Sequence, residues 1–398
     1  NAWGDRAPML VLGATGPVDA TRRRPWIDWL HTAQDQGALI RHFTKWDDQP
    51  GSTEAVPESM ARGWKITNTS PKAPVYINMD AGWQEAPLDA EITWPDLARH
   101  APLAPPAPNA ALIEKAAKAL ANAKYPVILM GRGEPSEVAM QVRVALAERT
   151  GAAMLSDLKT GTMVPSNHAN HAGVPFNKVS TVARDVLARA DVILSLGWID
   201  LGGALKQTFG DEACTATIIH ASDDMQLHRG WGQEHFALPA VDIEFGCAAD
   251  AVAEALLEAT AASDKPAPAL PHTPATSSAP GGSLTMRDIT EALKREAGDT
   301  PVTFPALSRS WPHELWPLRH PLDFLGKDGG GGIGAGPGLA VGAALALKGS
   351  GRLVVATLGD GDTLMGITAL WTAAKYRLPV LFVIGNNRSY FNDELHQE

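Results

Sequence analysis

Gly359-Asp360-Gly361 and Asn386-Asn387 are the residues whose types and spacing most directly suggest chemistry. One carboxylate and neighbouring amide oxygens suit a hard divalent cation that takes oxygen ligands. Glycines on both sides of the acid let the backbone approach a ligand closely. The flanking sequence says how these residues are brought together. A β-branched run at 353–357 leads into the first group, a helical pattern follows at 363–376, and Pro379 ends it. A second apolar run at 380–384 delivers the asparagines, which makes a strand–helix–strand unit. A right-handed crossover makes the two strands parallel, with both carboxyl ends at one edge, so Asp360 and Asn387 are expected side by side. The intervening helix would aim its N-terminus at the same place, which favours phosphate. The residues alone therefore read as a metal–diphosphate site.

Gly-Asp-Gly, the spacer 362–385 and Asn-Asn together resemble the cofactor signature of the thiamine diphosphate (ThDP) enzymes. The resemblance implies Mg²⁺ bound by Asp360, the Asn387 side chain and the carbonyl of Ser389, with ThDP as cofactor. A second part of the signature is the run 328–338, Asp-Gly-Gly-Gly-Gly-Ile-Gly-Ala-Gly-Pro-Gly, followed by a small-residue helix at 339–347. Formally it contains G-x-G-x-x-G at Gly329, Gly331 and Gly334. No β-rich strand leads into it, however, and no acid lies between Ala335 and Gly359, so a dinucleotide fingerprint is rejected. In the ThDP family a large apolar residue here props the cofactor in a bent form. Ile333 fits that place and is its catalytic candidate. By the same resemblance Gly331, Gly332, Gly359, Gly361, Asp362 and Tyr390 lie against the cofactor. Asp362 stands where a serine is commoner, with its backbone N–H as the group offered to diphosphate. Asp393 falls where some decarboxylases carry an acid, which makes it a second catalytic candidate, for proton transfer. The strip after Asn387 differs from the Trp-containing version typical of acetolactate synthases.

The chain as a whole sets the frame. Its 398 residues allow two or three domains. A net charge of −10 gives no reason to expect nucleic acid. No apolar run approaches the ~20 residues that span a bilayer. Two cysteines, Cys214 and Cys247, form no framework and read as buried thiols of a reducing cytoplasm. The expected fold is α/β, with three doubly wound parallel-sheet domains. The segment 1–100 resembles the C-terminal part of the pyrimidine-binding domain. It is expected to carry strands at 8–13 and 75–79 and helices at 26–40 and 54–67. A Pro-rich linker at 101–109 precedes a central α/β domain at 110–260. A Pro/Ala/Ser linker at 261–283 precedes a diphosphate-binding domain at 284–398, incomplete at its C-terminus. The glutamate that the family uses on the pyrimidine ring matches no residue here, since Glu54 and Glu58 sit too late. The chain is accordingly expected to be an interior fragment of a longer protein.

Three further groups invite a reading. His31, Gln34, Asp35 and Gln36 form a polar cluster that is a pocket lining by resemblance or a solvated face, and Lys45 and Trp46 raise the same choice. His168 and His171 have i,i+3 spacing but sit in a loop-like run with Pro165. Gly131-Arg132-Gly133 after the strand 126–130 would be the landing place of FAD, which some family members hold. An ordinary strand-to-helix turn needs the same glycines. The resemblance implies a ThDP- and Mg²⁺-dependent lyase or carboligase of a small 2-oxo acid, of the acetolactate synthase–benzoylformate decarboxylase type. It would be cytoplasmic, a homodimer or homotetramer with its site between subunits. The rivals are an FAD-containing oxidoreductase like pyruvate oxidase and a non-catalytic ThDP-binding homologue.

Overall fold

A computed structural model describes residues 1–88, 90–173, 179–224, 238–262, 270, 284–308, 311–327 and 329–390. The chain forms two compact units. The first contains Asn1–Pro106 and Asp224, and the second contains Ala107–Asp223 and the described residues from 238 onward. All three sheets are parallel, as the α/β patterning predicts.

The first unit holds β1 (Leu10–Thr15), α1 (Ile27–Leu30), β2 (Trp46–Asp48), α2 (Val56–Asn68), β3 (Val75–Asp80) and α3 (Ala81–Gln84), with strand order β1-β3-β2. The helix expected at 26–40 is not continuous. Only α1 forms, followed by 3₁₀ turns at Gly37–Leu39 and Arg41–Phe43. Gly37 packs closely there: a Cβ on it would lie 2.3 Å from Asp47 Oδ2, which Arg41 holds in place. The polar cluster splits between partners. Asp35 pairs with Arg41, while Gln36 donates to the Ala14 carbonyl and the Tyr76 hydroxyl. Lys45 is not a free surface cation. Its ammonium donates to the carbonyls of Ile66, Thr69 and Pro71 at 3.0, 2.6 and 3.0 Å, at the C-terminal end of α2, where a cation opposes the helix dipole. Trp46 begins β2, an element the sequence reading missed.

The second unit opens with α4 (Ala110–Asn122), β4 (Pro126–Met130), α5 (Glu137–Thr150), β5 (Ala153–Ser156), α6 (Thr181–Ala188), β6 (Val192–Leu196), α7 (Leu201–Phe209), β7 (Thr217–Ala221), β8 (Ile243–Phe245) and α8 (Ala249–Ala259). Its sheet runs β5-β4-β6-β7-β8. Alternate residues of each strand feed opposite cores: Ile128 and Met130 on one face, Val127 and Leu129 on the other. Arg143 of α5 is buried and bonds Asp250 of α8 through Nε and Nη2, at 2.9 and 2.6 Å, and the Met163 carbonyl through Nη1. Cys247 is buried and Cys214 is half-buried; burial raises both thiols.

The same unit continues with α9 (Met286–Ala297), β9 (Val302–Thr303), α10 (Ala335–Ala346), β10 (Leu353–Gly359), α11 (Asp360–Met365), α12 (Ala369–Tyr376) and β11 (Val380–Gly385), with sheet order β11-β10-β9. The helix expected at 363–376 is broken at Gly366. A Cβ there would lie 2.5 Å from the Gly334 carbonyl and 2.9 Å from the Pro337 ring, so this stretch is pressed against the start of α10. The remaining α11 is a six-residue turn of helix. Most of the linker reading at 261–283 lies outside the described residues. Among the described residues no helix is long and apolar enough to cross a membrane.

A loop of the central sheet is spliced to the segment that precedes the glycine run. Thr162 N–H donates to Phe324 O and Phe324 N–H to Thr162 Oγ1, at 3.0 and 3.1 Å. Ser166 and Leu318 exchange bonds in the same reciprocal way, at 2.8 and 2.9 Å. A Cβ on Gly161 would meet Phe324 O at 2.7 Å, and one on Gly326 would meet Lys159 O at 2.7 Å. Replacing Lys45 by Met leaves three carbonyls at the end of α2 without their cation. The expected loss is about 2 kcal/mol of stability, the scale of hydrogen bonds to a charged group, read as a lower urea midpoint with unchanged m-value.

Candidate active site

Parallel pairing carries β10 and β11 in step from Val354↔Val380 to Gly359↔Gly385. The next residues, Asp360 and Asn386, therefore leave the sheet at one level of its carboxyl edge. Arg352 anchors the entry to β10 through Thr303 Oγ1, the Val302 carbonyl and Asp323 Oδ1, at 2.7, 2.6 and 2.6 Å. At the exit, Thr363 turns its hydroxyl back to Gly359 O at 2.7 Å. Asn386 Oδ1 accepts Arg388 N–H and Asn387 Oδ1 accepts Ser389 N–H, at 3.1 and 3.2 Å. These two successive Asx turns fold the chain back on itself and hold Arg388 at a φ of 57°. Each amide oxygen keeps a second lone pair for another partner.

The structure brings together most of the residues expected from the sequence. A Cβ on Gly361 would lie 2.3 Å from the Tyr390 ring, so Tyr390 is folded over the Gly-Asp-Gly turn. Asp362 reaches across to the glycine loop, where Oδ1 accepts Gly334 N–H at 2.6 Å. Its side chain thus has a partner within the protein, a use that the sequence reading missed. A signal was present: α10 starts at a glycine, which has no capping side chain of its own. Gly331, Gly332 and Gly359 have open space where a Cβ would stand. Ile333, between them and Gly334, is 47% exposed. Asp393 lies outside the described residues.

The cradle of open glycines and the oxygen donors of Asp360, Asn387 and Ser389 fit a diphosphate and a hard cation by chemical type. Among the described residues no three His, Cys, Asp or Glu side chains converge on one point. That leaves the expected set, one carboxylate with an amide and a carbonyl oxygen, outside the pattern searched.

Two other sequence candidates resolve as architecture. His171 is buried, its Nε2 is 2.9 Å from Ser156 Oγ, and burial pushes it down to about 4. His168 lies 3.2 Å from Glu148 instead. Gly131 and Gly197 touch backbone to backbone: a Cβ on the first would meet Gly197 O at 2.2 Å, and one on the second would meet Arg132 O at 2.1 Å. Gly131 N–H donates to Leu196 O and Arg132 N–H to Gly197 O, which prolongs the β4–β6 pairing beyond both strands. Gly133 is fitted against the Arg143 guanidinium, 2.3 Å from its Cβ position. Packing alone thus accounts for all the glycines of this turn.

Two family models match within this geometry. One, described as the C-terminal TPP binding domain of thiamine pyrophosphate enzymes, covers residues 307–398, and the central-domain model of the same enzymes covers 113–229. The chain belongs to the thiamine diphosphate enzyme family. Among the relatives of this ThDP-family chain, a benzoylformate decarboxylase of Pseudomonas aeruginosa is 28% identical over 98% of the chain and 71% of its own length. An acetolactate synthase large subunit of Corynebacterium glutamicum is 27% identical over 96% of the chain and 61% of its own length. In fold, a ThDP-dependent 4-hydroxybenzoylformate decarboxylase of Rhodococcus jostii superposes with a TM-score of 0.77 at 23% identity, over 100% of the chain and 73% of its own length. The chain thus spans about three-fifths to three-quarters of these proteins.

The buried histidine gives a pH signature. The unfolded chain takes up the His171 proton near 6.5 and the folded one only near 4. Its share of stability is therefore complete above the first value and drains away as pH falls to the second. Urea unfolding of His171→Gln is expected to show a shallower loss of stability across that window than the parent protein.

Proposed function

We propose that this chain forms part of a ThDP- and Mg²⁺-dependent enzyme that decarboxylates a small 2-oxo acid or transfers the acyl group derived from it. One observation carries the reading. Asp360 and the Asn386-Asn387 pair leave neighbouring parallel strands in register, beside a glycine loop that bears an exposed isoleucine. In this reading Asp360, Asn387 Oδ1 and the Ser389 carbonyl hold the metal, and Asn387 is oriented for it by Ser389 N–H. Gly359 and Gly361 leave room for diphosphate, with Tyr390 folded over the turn. Gly331 and Gly332 let the loop approach the cofactor ring. When bound, ThDP supplies the electron sink for breaking or making a C–C bond beside a carbonyl.

Ile333 would serve as the prop. A half-exposed branched side chain flanked by glycines adds nothing to a core, and pressed against a bound group it would exclude water. A dry surface favours loss of charge from a carboxylate substrate. Asp393 is retained as the proton-transfer candidate. The segment 1–100 is assigned to the pyrimidine-binding domain, 110–260 to the central domain and 284–398 to the diphosphate domain. A homo-oligomer is included in the proposal, supported by the exposure of Leu364, Met365, Ile367 and Trp371 on and beside α11 and α12. The acidic charge and the absence of a spanning helix among the described residues are compatible with a cytoplasmic enzyme.

The names of the relatives direct the substrate test to benzoylformate and pyruvate. CO₂ release from either, dependent on both ThDP and Mg²⁺, supports the proposal; absence of cofactor binding overturns it. Asp360→Ala should weaken Mg²⁺-dependent ThDP binding by about 100-fold or more with far-UV circular dichroism unchanged. Equal affinity in calorimetry would remove the metal assignment. Ile333→Ala should still bind ThDP but slow exchange of its C2 proton by about 10- to 100-fold, the scale of a small misplacement of reacting groups. Exchange at the parent rate would leave Ile333 without that role.

A further inference from the structure

The first turn of α10 lacks a cap from its own sequence. Gly334 occupies the cap position at a φ of 101° and has no side chain to offer. A helix of twelve residues leaves its first N–H groups in need of acceptors and concentrates positive potential there. Asp362, 28 residues further on, supplies the acceptor from another element, with Oδ1 2.6 Å from Gly334 N. Its second oxygen occupies the space beside Gly336, where a Cβ would come within 2.2 Å. The contact is reinforced by backbone packing: Gly334 sits 3.0 Å, measured from a Cβ position, from Met365 Cβ, and Gly366 2.5 Å from Gly334 O.

We propose that Asp362 is a positioning residue, a cap supplied in trans to α10 that ties the glycine loop and Ile333 to the Gly-Asp-Gly turn at a fixed distance. The carboxylate faces the start of α10, where the helix dipole favours negative charge. A serine in its place would be too short to do the same. The tie itself stands on the geometry alone. Its service to the cofactor rests on the proposed function, because only there do the prop and the metal turn act on one molecule.

The test uses the chain first without cofactor. Hydrogen exchange of the amides at 331–336 should quicken about tenfold or more in Asp362→Ala, the scale of one charge-assisted bond. Asp362→Asn keeps an acceptor oxygen and should stay near the parent rate. Unchanged exchange in the alanine variant, or equal quickening in both, overturns the proposal. On the ThDP·Mg²⁺-loaded protein, Asp362→Ala should slow C2 proton exchange at saturating cofactor, with Asp362→Asn restoring it. Asp250→Ala, which breaks the Arg143 pair elsewhere in the same unit, should leave that rate alone. If Asp250→Ala slows it equally, the effect is general loosening and the positioning role falls. Failure of the parent chain to bind ThDP with Mg²⁺ would remove the proposed function and leave the cap intact. Unaltered amide exchange would do the reverse.

Discussion

The register between β10 and β11 is the constraint on which the site rests. Six consecutive residue pairs align without a slip, ending at Gly359 opposite Gly385. A shift by one residue would turn each side chain of a strand to the other face. Val354, Ala356 and Leu358 would then leave the small-residue surface of α10, and Asp360 would no longer stand level with the asparagines. Hydrophobic burial thus fixes, several residues upstream, where the polar groups emerge. Arg352 adds to this from the other end of β10, since its bonds to Thr303, Val302 and Asp323 join that strand to β9 and to the loop beyond.

A second line of support arrives from the central sheet. The reciprocal bonds between Thr162 and Phe324 and between Ser166 and Leu318 join two loops, each pair through one main-chain carbonyl and one side-chain hydroxyl. Only glycines fit at 161 and 326, where each backbone lies against a carbonyl of the opposite loop. The segment that enters the glycine loop is therefore held before it arrives, and α10 holds it after it leaves.

The buried strands of the central sheet were legible as continuous apolar runs, and the helix between them by its length and its closing glycine. β4, α5 and β6 occupy the residues so marked out. The chemistry at Asp360 and Asn387 was legible as a spacing, since a strand–helix–strand unit has few ways to fold. What could not be read was the use of tertiary partners. Nothing in the local sequence says that Lys45 closes α2, that Asp47 lies against Gly37, or that a helix is interrupted at Gly366. Short edge elements such as β2 and β8 carry too few residues to show a period. Asp362 was read by analogy as offering its backbone N–H to diphosphate; that its side chain goes to Gly334 was not read, because the uncapped glycine shows that a cap is needed without saying which distant residue gives it.

The glycine contact just past the carboxyl ends of β4 and β6 bears on how this sequence can drift. At both positions the atoms that would collide with a new side chain belong to main chain: Gly197 O for position 131 and Arg132 O for position 197. Carbonyls are present whatever residue is encoded, so a change at one site cannot be rescued by a compensating change at the other. Two residues in intimate contact are thereby each constrained separately. A method that infers contacts from correlated substitutions would see two independent fixed columns here, and this close approach would be invisible to it.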